Sequence, residues 1–375
     1  MADTTSHLFQ PLTVRGLEIP NRIVVAPMCQ YSAAEGVAQD WHFQHYGSLA
    51  ASGPGMVVVE ATAVAPEGRI TPGDIGLYSD AGVAAFSRLV RTLKAIGKSR
   101  IAVQIGHAGR KGSAQRPWQG GGALRAEDGG WETISASAVP FAAGWPVPHE
   151  IGPYDIDRLR HAFAAAAERA DRAGVDIVEV HSAHGYLLHQ FLSPLSNRRT
   201  DVYGGSLENR MRFPLAVIRS VRRALPNDKP LGIRISATDW VEGGFTPEEA
   251  ITYLAVCKSE GVDYVCVSSG GLVADAKIPS TPGYQVELAA RIRRETGMLT
   301  RAVGLITEPE QAEAVVASGQ ADMVALGRAF LDDPRWAWRA AVALGAPIPY
   351  PPQYERVQPE LWPGGKTRQS VAAAE

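Results

Sequence analysis

The side chains best suited to moving protons and holding charge fall into a few short groups. His181 and His184 stand three residues apart, with Tyr186 two positions further on. Such a pair admits three readings. Two neutral imidazoles can aim N–H groups at one oxygen and stabilise negative charge as it develops there. They can instead be hydrogen-bonded structural histidines. They can also hold a metal, which needs a third ligand; strand alternation is expected to turn the nearby carboxylate of Glu179 the wrong way. Donors rank first, structure second and metal last. A second group is Cys29 and Tyr31. Taken alone, Cys29 reads as a small buried hydrophobe. Tyr31 and Tyr186 alone read as packing residues with locally satisfied hydroxyls, and Lys111 alone as a solvated cation. A third group is Gly304 with Gly327-Arg328. Glycine lets backbone N–H groups approach an anion, and arginine pairs with it bidentately.

Only elements that bring these groups to one place make them more than scattered residues. Eight short apolar runs, 22–25, 56–60, 101–104, 176–180, 231–235, 264–268, 300–303 and 323–326, alternate with amphipathic stretches. Continuous apolar runs without alternation are the pattern of buried parallel strands. The stretches between them read as helices. From Ile156 to Ala173, Ile156, Leu159, Phe163, Ala166, Ala167 and Ala170 share one face. Pro153 precedes that helix and Gly174 stops it. Thr246-Pro247-Glu248-Glu249 combines an N-cap, a proline at the first helical position and first-turn acids. Glu308-Pro309 and Asp333-Pro334 have the same character.

Eight strand–helix units predict a single α/β domain over residues 1–375, a (β/α)₈ barrel. An open doubly wound sheet would carry a glycine-rich turn after its first strand; here Ala26-Pro27-Met28-Cys29 follows it. Active sites of such barrels lie at the carboxyl ends of the strands. That places Cys29 and Tyr31 after the first strand, Gln104 at the end of the third, and His107, Arg110 and Lys111 beyond it. His181, His184 and Tyr186 follow the fourth, and Arg234 lies within the fifth. Gly304 follows the seventh strand and Gly327-Arg328 the eighth, where barrels often bind phosphate. Two segments break the pattern. The Gly-, Trp- and Pro-rich stretch 112–148 after the third strand is either disordered or a functional excursion over the site. The proline- and aromatic-rich tail 347–362, with Tyr350, Tyr354 and Trp362, is expected to dock, and 364–375 to fray.

The 375 residues are 45% hydrophobic and 20% charged, with formal net charge −2. Basic residues are scattered, so nothing points to a nucleic-acid partner; Arg219, Arg222 and Arg223 mark the solvated side of a helix. No run approaches the roughly 20 apolar residues that span a bilayer, and no membrane partner is expected. The polar stretch 1–6 is not expected to be a signal peptide. Three cysteines without a CxxC pair suggest no disulfide framework and fit a cytoplasmic location.

Several motifs together resemble the Old Yellow Enzyme family: Ala26-Pro27-Met28-Cys29-Gln30-Tyr31, His107-Ala108-Gly109-Arg110-Lys111, His181-Ser182-Ala183-His184-Gly185-Tyr186, Leu192-Ser193-Pro194-Leu195-Ser196-Asn197, the run from Arg199 to Ser206, and Gln353-Tyr354-Glu355-Arg356. They are most similar to its bacterial branch of thermophilic-like ene-reductases and xenobiotic reductases. The resemblance implies FMN bound noncovalently in the barrel mouth and NADPH or NADH as hydride donor. By position, Ala26, Pro27, Met28, Cys29, Ala61, Gln104 and Arg234 would contact the flavin ring or ribityl chain, and Gly304, Gly327 and Arg328 the phosphate. His181 and His184 would bind a substrate carbonyl and Tyr186 would donate a proton. Tyr31 and Lys111 would contact substrate, and Cys29 would tune the flavin potential. Arg356 would reach a neighbouring subunit's site in a homodimer or homotetramer. The implied activity is reduction of activated C=C bonds, as in enones and maleimides. Iron–sulfur relatives with the same barrel, and a non-catalytic flavin sensor, are the rivals; three unclustered cysteines speak against the first. The stretch 112–131 and the chain beyond Arg356 extend past the shortest relatives, which bears on substrate range.

Overall fold

A computed structural model describes residues 6–364. Eight parallel strands close into a barrel: β1 (Ile23–Val25), β2 (Met56–Ala63), β3 (Arg100–Gly106), β4 (Ile177–Ser182), β5 (Leu231–Ser236), β6 (Tyr264–Ser268), β7 (Leu299–Val303) and β8 (Met323–Leu326). Closure is made where Leu326 of β8 aligns with Val25 of β1. Each predicted run coincides with one strand, and β2 and β3 continue further into the mouth than their apolar runs suggested. A register shift between Val59 and Ala61 interrupts the β2–β3 ladder. A bulge of this kind re-aims side chains at a barrel rim.

The helices α1 (Asp40–Ala50), α2 (Asp80–Ile96), α3 (Pro153–Arg172), α4 (Leu187–Leu192), α5 (Leu207–Ala224), α6 (Pro247–Ser259), α7 (Val286–Thr296), α8 (Pro309–Ala317), α9 (Arg328–Asp332) and α10 (Trp336–Ala343) lie between and after the strands. The six residues expected on the inner face of α3 are the ones it buries, and Pro153 opens the helix as its first residue. Gly174 follows at φ +87°, where a side chain would be strained. Thr246 caps α6, accepting from the Glu249 N–H. The Asp333 carboxylate accepts from the Arg335 N–H just before α10.

Two features were not expected. A hairpin of Leu12–Val14 and Leu17–Ile19 closes the amino-terminal end of the barrel. Its Val14 and Ile19 join Val24, Met56, Ile177 and Met323 in one apolar cluster. Three-residue strands are too short to show a period. The second feature is charge inside the barrel. Arg301 and Glu179 are wholly buried and paired at 2.5 Å. The Tyr264 hydroxyl and the Gln104 amide donate to the same carboxylate at 2.9 and 2.8 Å. Glu179 therefore does not point away from the barrel. It stands two residues before His181, and a period of two puts both on the inner face; its oxygens are simply committed to other partners.

The stretch 112–148 is an ordered excursion whose Ile134–Ser135 pairs in parallel with His149–Glu150 just beyond it. The tail docks as expected: the Tyr350 and Tyr354 rings meet Trp338 of α10 at 4.5 and 5.7 Å. Arg219 and Arg223 are exposed on α5. Residues 365–375, most of the segment expected to fray, lie outside the described residues. Among the described residues no helix is long and apolar enough to cross a membrane.

The interior ion pair gives the first prediction. Glu179→Ala strands the Arg301 guanidinium without its countercharge and should destabilise the fold by about 3–5 kcal/mol. Chemical denaturation measures this; a loss under about 1 kcal/mol would mean that the pair is not what fills the barrel.

Candidate active site

The eight strands deliver their carboxyl ends to one rim, and part of the predicted groups line two cavities there. The first is lined by Ala61, Gly106, His107, His181 and Tyr186, with Gly68, Ile70 and Asp74 from the loop after β2. The second, about 180 Å³, brings together Arg234, Ser268, Tyr284, Gln285, Gly304, Gly327 and Arg328.

The histidine pair is fixed by its neighbours. His181 Nδ1 accepts from the Ala183 N–H at 3.2 Å, so its proton is on Nε2. His184 sits at φ +56°, an uncommon conformation outside glycine. Its backbone is held by two groups: its N–H donates to Ser236 Oγ at 2.9 Å, and its carbonyl accepts from Lys111 Nζ at 2.9 Å. His184 Nε2 lies 2.7 Å from Ser268 Oγ. Ser269 already donates to Gln285 Oε1 at 2.5 Å. The Ser268 hydroxyl reaches both Gln285 Oε1 at 3.4 Å and the much nearer His184 Nε2; donation to the nearer acceptor puts the His184 proton on Nδ1. His181 Nε2 and His184 Nδ1 lie 3.4 Å apart, close enough for both to reach one acceptor atom placed beside them. Burial, reinforced by Arg234, holds both imidazoles well below the usual histidine range. They are neutral donors.

Tyr186 stacks edge-on against His181, centroids 4.7 Å apart and planes at 88°. Burial, with Cys29, Tyr31 and Asp74 nearby, pushes its hydroxyl well above the ordinary tyrosine value, so it is a proton carrier and not an anion. Behind it, Lys111 Nζ donates to the His184 and Gly271 carbonyls at 2.9 and 2.8 Å. The same ammonium lies 4.6 Å from the Phe141 ring centre and 5.3 Å from that of Tyr186. Burial and the Arg110 charge lower Lys111 to about 8. Arg110 is itself wholly buried, donating to the carbonyls of Val139, Pro140 and Leu272; it braces the rim from outside.

After β1, Ala26 donates its N–H to the Leu326 carbonyl at 2.9 Å, and Pro27, Met28 and Cys29 follow. The loop is anchored through the Gln30 N–H, which donates to Glu60 Oε2 at 2.6 Å. Glu60 is wholly buried, 3.3 Å from His42 Nε2 and 3.2 Å from the Tyr46 hydroxyl of α1. Tyr31 lies at φ +52°. Its carbonyl accepts from Arg116 Nε at 2.9 Å, and its ring meets Trp118 at 6.0 Å. The insertion thus covers this side of the mouth. Desolvation, with Asp74 and Glu60, raises the Cys29 thiol well above its ordinary value.

In the second cavity Gly304 is at φ +125°, and a Cβ there would stand 2.6 Å from Gln285 Nε2. Arg234 Nε is buried without a protein partner among the described residues. Arg356 stands apart, in the exposed turn Pro352–Val357; neither rim cavity counts it in its lining. Ser268, Gln285, Asp74 and Glu60 were missed. Ser268 ends the sixth apolar run, and that position alone could have marked it. Asp74 and Gln285 sit in loops with no spacing to betray them.

The raised thiol gives a prediction. Cys29 should react with iodoacetamide roughly tenfold or more slowly than an unhindered thiol near pH 8, because the thiolate is the nucleophile. Its rate should still climb above pH 9, the ordinary cysteine value. A plateau below pH 8 would show an activated cysteine instead.

Comparison with known proteins adds independent findings. Residues 7–345 match the family model described as NADH:flavin oxidoreductase / NADH oxidase family. An NADPH dehydrogenase of Geobacillus thermodenitrificans (strain NG80-2) is 45% identical over 351 residues, covering 93% of this chain and 98% of that protein. Morphinone reductase in complex with tetrahydroNAD superposes with a TM-score of 0.74 at 28% identity, covering 92% of this chain and 93% of the other. A 2-naphthoyl-CoA reductase in complex with 2-naphthoyl-CoA gives 0.82 at 26% identity over 91% of this chain. The match spans 53%, about half, of that longer chain.

Proposed function

Given that this chain belongs to the NADH:flavin oxidoreductase / NADH oxidase family, an oxidoreductase family using FMN and NADPH or NADH, we propose that it reduces the activated C=C bond of α,β-unsaturated carbonyl compounds such as enones and maleimides. The observation that carries this reading is the convergence of the His181 Nε2–H and His184 Nδ1–H, 3.4 Å apart, beside the Tyr186 ring.

The rim fits the cofactor. The second cavity offers glycine backbone at Gly304 and Gly327 and the guanidinium of Arg328 for one terminal phosphate. Ala26, Pro27, Met28, Cys29, Ala61, Gln104 and Arg234 would hold the ring and ribityl chain. Gln104 gives its amide N–H to Glu179, so its carbonyl oxygen remains to accept from a ring N–H. Arg234, whose buried Nε has no partner among the described residues, supplies a cation for the electron-rich pyrimidine end. Bound FMN supplies the hydride that adds to the alkene carbon β to the carbonyl. As it adds, negative charge moves to the carbonyl oxygen, where the two neutral N–H groups meet it. Tyr186 gives its proton to the α carbon. Tyr31 and the insertion wall bear on the remainder of the substrate, and Lys111 fixes the His184–Tyr186 loop from behind. Cys29, a neutral thiol beside the ring site, tunes the potential.

The tail belongs to the same reading. Its docking on α10 leaves Arg356 exposed and away from its own rim, which suits a contact in a neighbouring subunit of a homodimer or homotetramer.

Two experiments test these proposals. In Tyr186→Phe, flavin reduction by NADPH should be little changed while reoxidation by cyclohexenone slows by roughly 10²–10⁴-fold, the worth of a general acid. Stopped-flow measurement of both half-reactions decides, and equal slowing of the two would remove Tyr186 from its role. For the tail, light scattering should find an oligomer, and Arg356→Ala should raise KM for the alkene several-fold without dissociating it. A fully active monomer would end the shared-site reading.

A further inference from the structure

We propose that Asp74, through one water held by His107, is the group that returns a proton to Tyr186 after each turnover. This rests on the reading of Tyr186 as proton donor and adds the step that must follow it. A tyrosinate left in this buried site is a costly anion, and turnover needs it neutralised.

The geometry is a cavity of the right size with the right walls. Tyr186, Asp74, His107 and His181 line the first rim cavity together. Its free volume for the centre of a water molecule is about 10 Å³, near the lower limit for holding one water. His107 Nδ1 accepts from the Gly109 N–H at 3.0 Å, which leaves the proton on Nε2. That Nε2 is buried and has no hydrogen-bond partner among the described residues. Its ring cannot turn away freely, since it lies so close over Gly68 that a Cβ there would stand 2.7 Å from its Cδ2. A fixed, unpaired N–H on a cavity wall is what orients a water.

Asp74 is 1% exposed. One oxygen accepts from the Ile70 N–H at 2.8 Å, and the other from the Thr71 hydroxyl and N–H at 2.7 and 3.2 Å. These bonds pin the carboxyl but do not keep it ionised. Burial, with Glu60 adding to it, pushes it up to about 7. The other titratable groups around it are Cys29 and Tyr31 from the loop after β1, Tyr78 ahead of α2, His107 after β3 and Tyr186 after β4. Of these, His107 is held down to about 4, and the thiol and the phenols are all raised. Asp74 alone among them changes charge near neutral pH.

The transfer balances simply. Tyr186 loses its hydroxyl proton as the new C–H bond forms. The water passes one proton to the phenolate oxygen and takes one from the Asp74 carboxyl. No electrons move, and Asp74 recovers its proton from solvent.

Two measurements test the relay. Infrared difference spectra of the wild-type protein, with and without FMN, taken about one unit either side of pH 7, should show one protonated carboxyl band that Asp74→Asn removes. No such band in the wild type overturns the proposal. Mixed with excess NADPH and cyclohexenone, Asp74→Asn should give a burst of one product per site at close to the wild-type rate. Later turnovers should then slow on the order of 10²-fold, with tyrosinate absorbance accumulating. His107→Leu, which leaves the Asp74 turn intact, should show the same pattern if Asp74→Asn fails to fold. Uniform slowing of every turnover, or none, overturns the relay alone. Full alkene reduction by Tyr186→Phe would instead overturn the donor reading, and the relay with it.

Discussion

Parallel closure is the constraint on which the rest depends. A barrel whose eight strands all run one way must send all eight carboxyl ends to one rim. Residues as distant as Cys29 and Arg328 then share a mouth without any direct sequence relation. The same closure creates an interior that side chains must fill. Here part of the filling is the Arg301–Glu179 pair, with Tyr264 and Gln104 bonded to it. The Gln104 amide N–H is drawn to that carboxylate, so the buried charge sets which end of its amide is turned away from Glu179.

The rim loops are held in conformations they would not choose alone. Tyr31 and His184 both have positive φ, uncommon for such side chains. Each is fixed by groups from other elements: Tyr31 by Arg116 of the insertion, His184 by Ser236, Ser268 and Lys111. A second layer lies behind the His184 loop. His189 Nδ1 accepts from the Gly185 N–H, and His189 Nε2 meets Asp239 at 3.0 Å. Positions fixed before ligand arrives are what electrostatic stabilisation of a developing charge requires.

Burial sets the protonation of this mouth more than pairing does. The histidines are kept neutral, and the Cys29 thiol and Tyr186 phenol are kept protonated, chiefly by desolvation. The site is therefore a set of neutral donors around a cationic Arg234 side, suited to receiving negative charge from elsewhere.

The sequence by itself determined the barrel strands and their order. Eight apolar runs became eight strands, and the α3 face was readable to the residue, because strand and helix periods are local and burial follows them. It also indicated rim positions just after the apolar runs, such as His181 and Gly327, since position after a strand implies position at the mouth; Asp74 and Gln285, in loops, it did not indicate. The tertiary structure alone decided how those groups are tuned. Ser268 sits 84 residues from the His184 it orients, and Arg301 sits 122 residues from Glu179. Gln104 meets that same carboxylate across 75 residues, and Arg116 holds Tyr31 across 85. No local period encodes such contacts. They arise when barrel closure brings distant strand ends and loops within hydrogen-bond reach, and burial then sets which of them can carry charge.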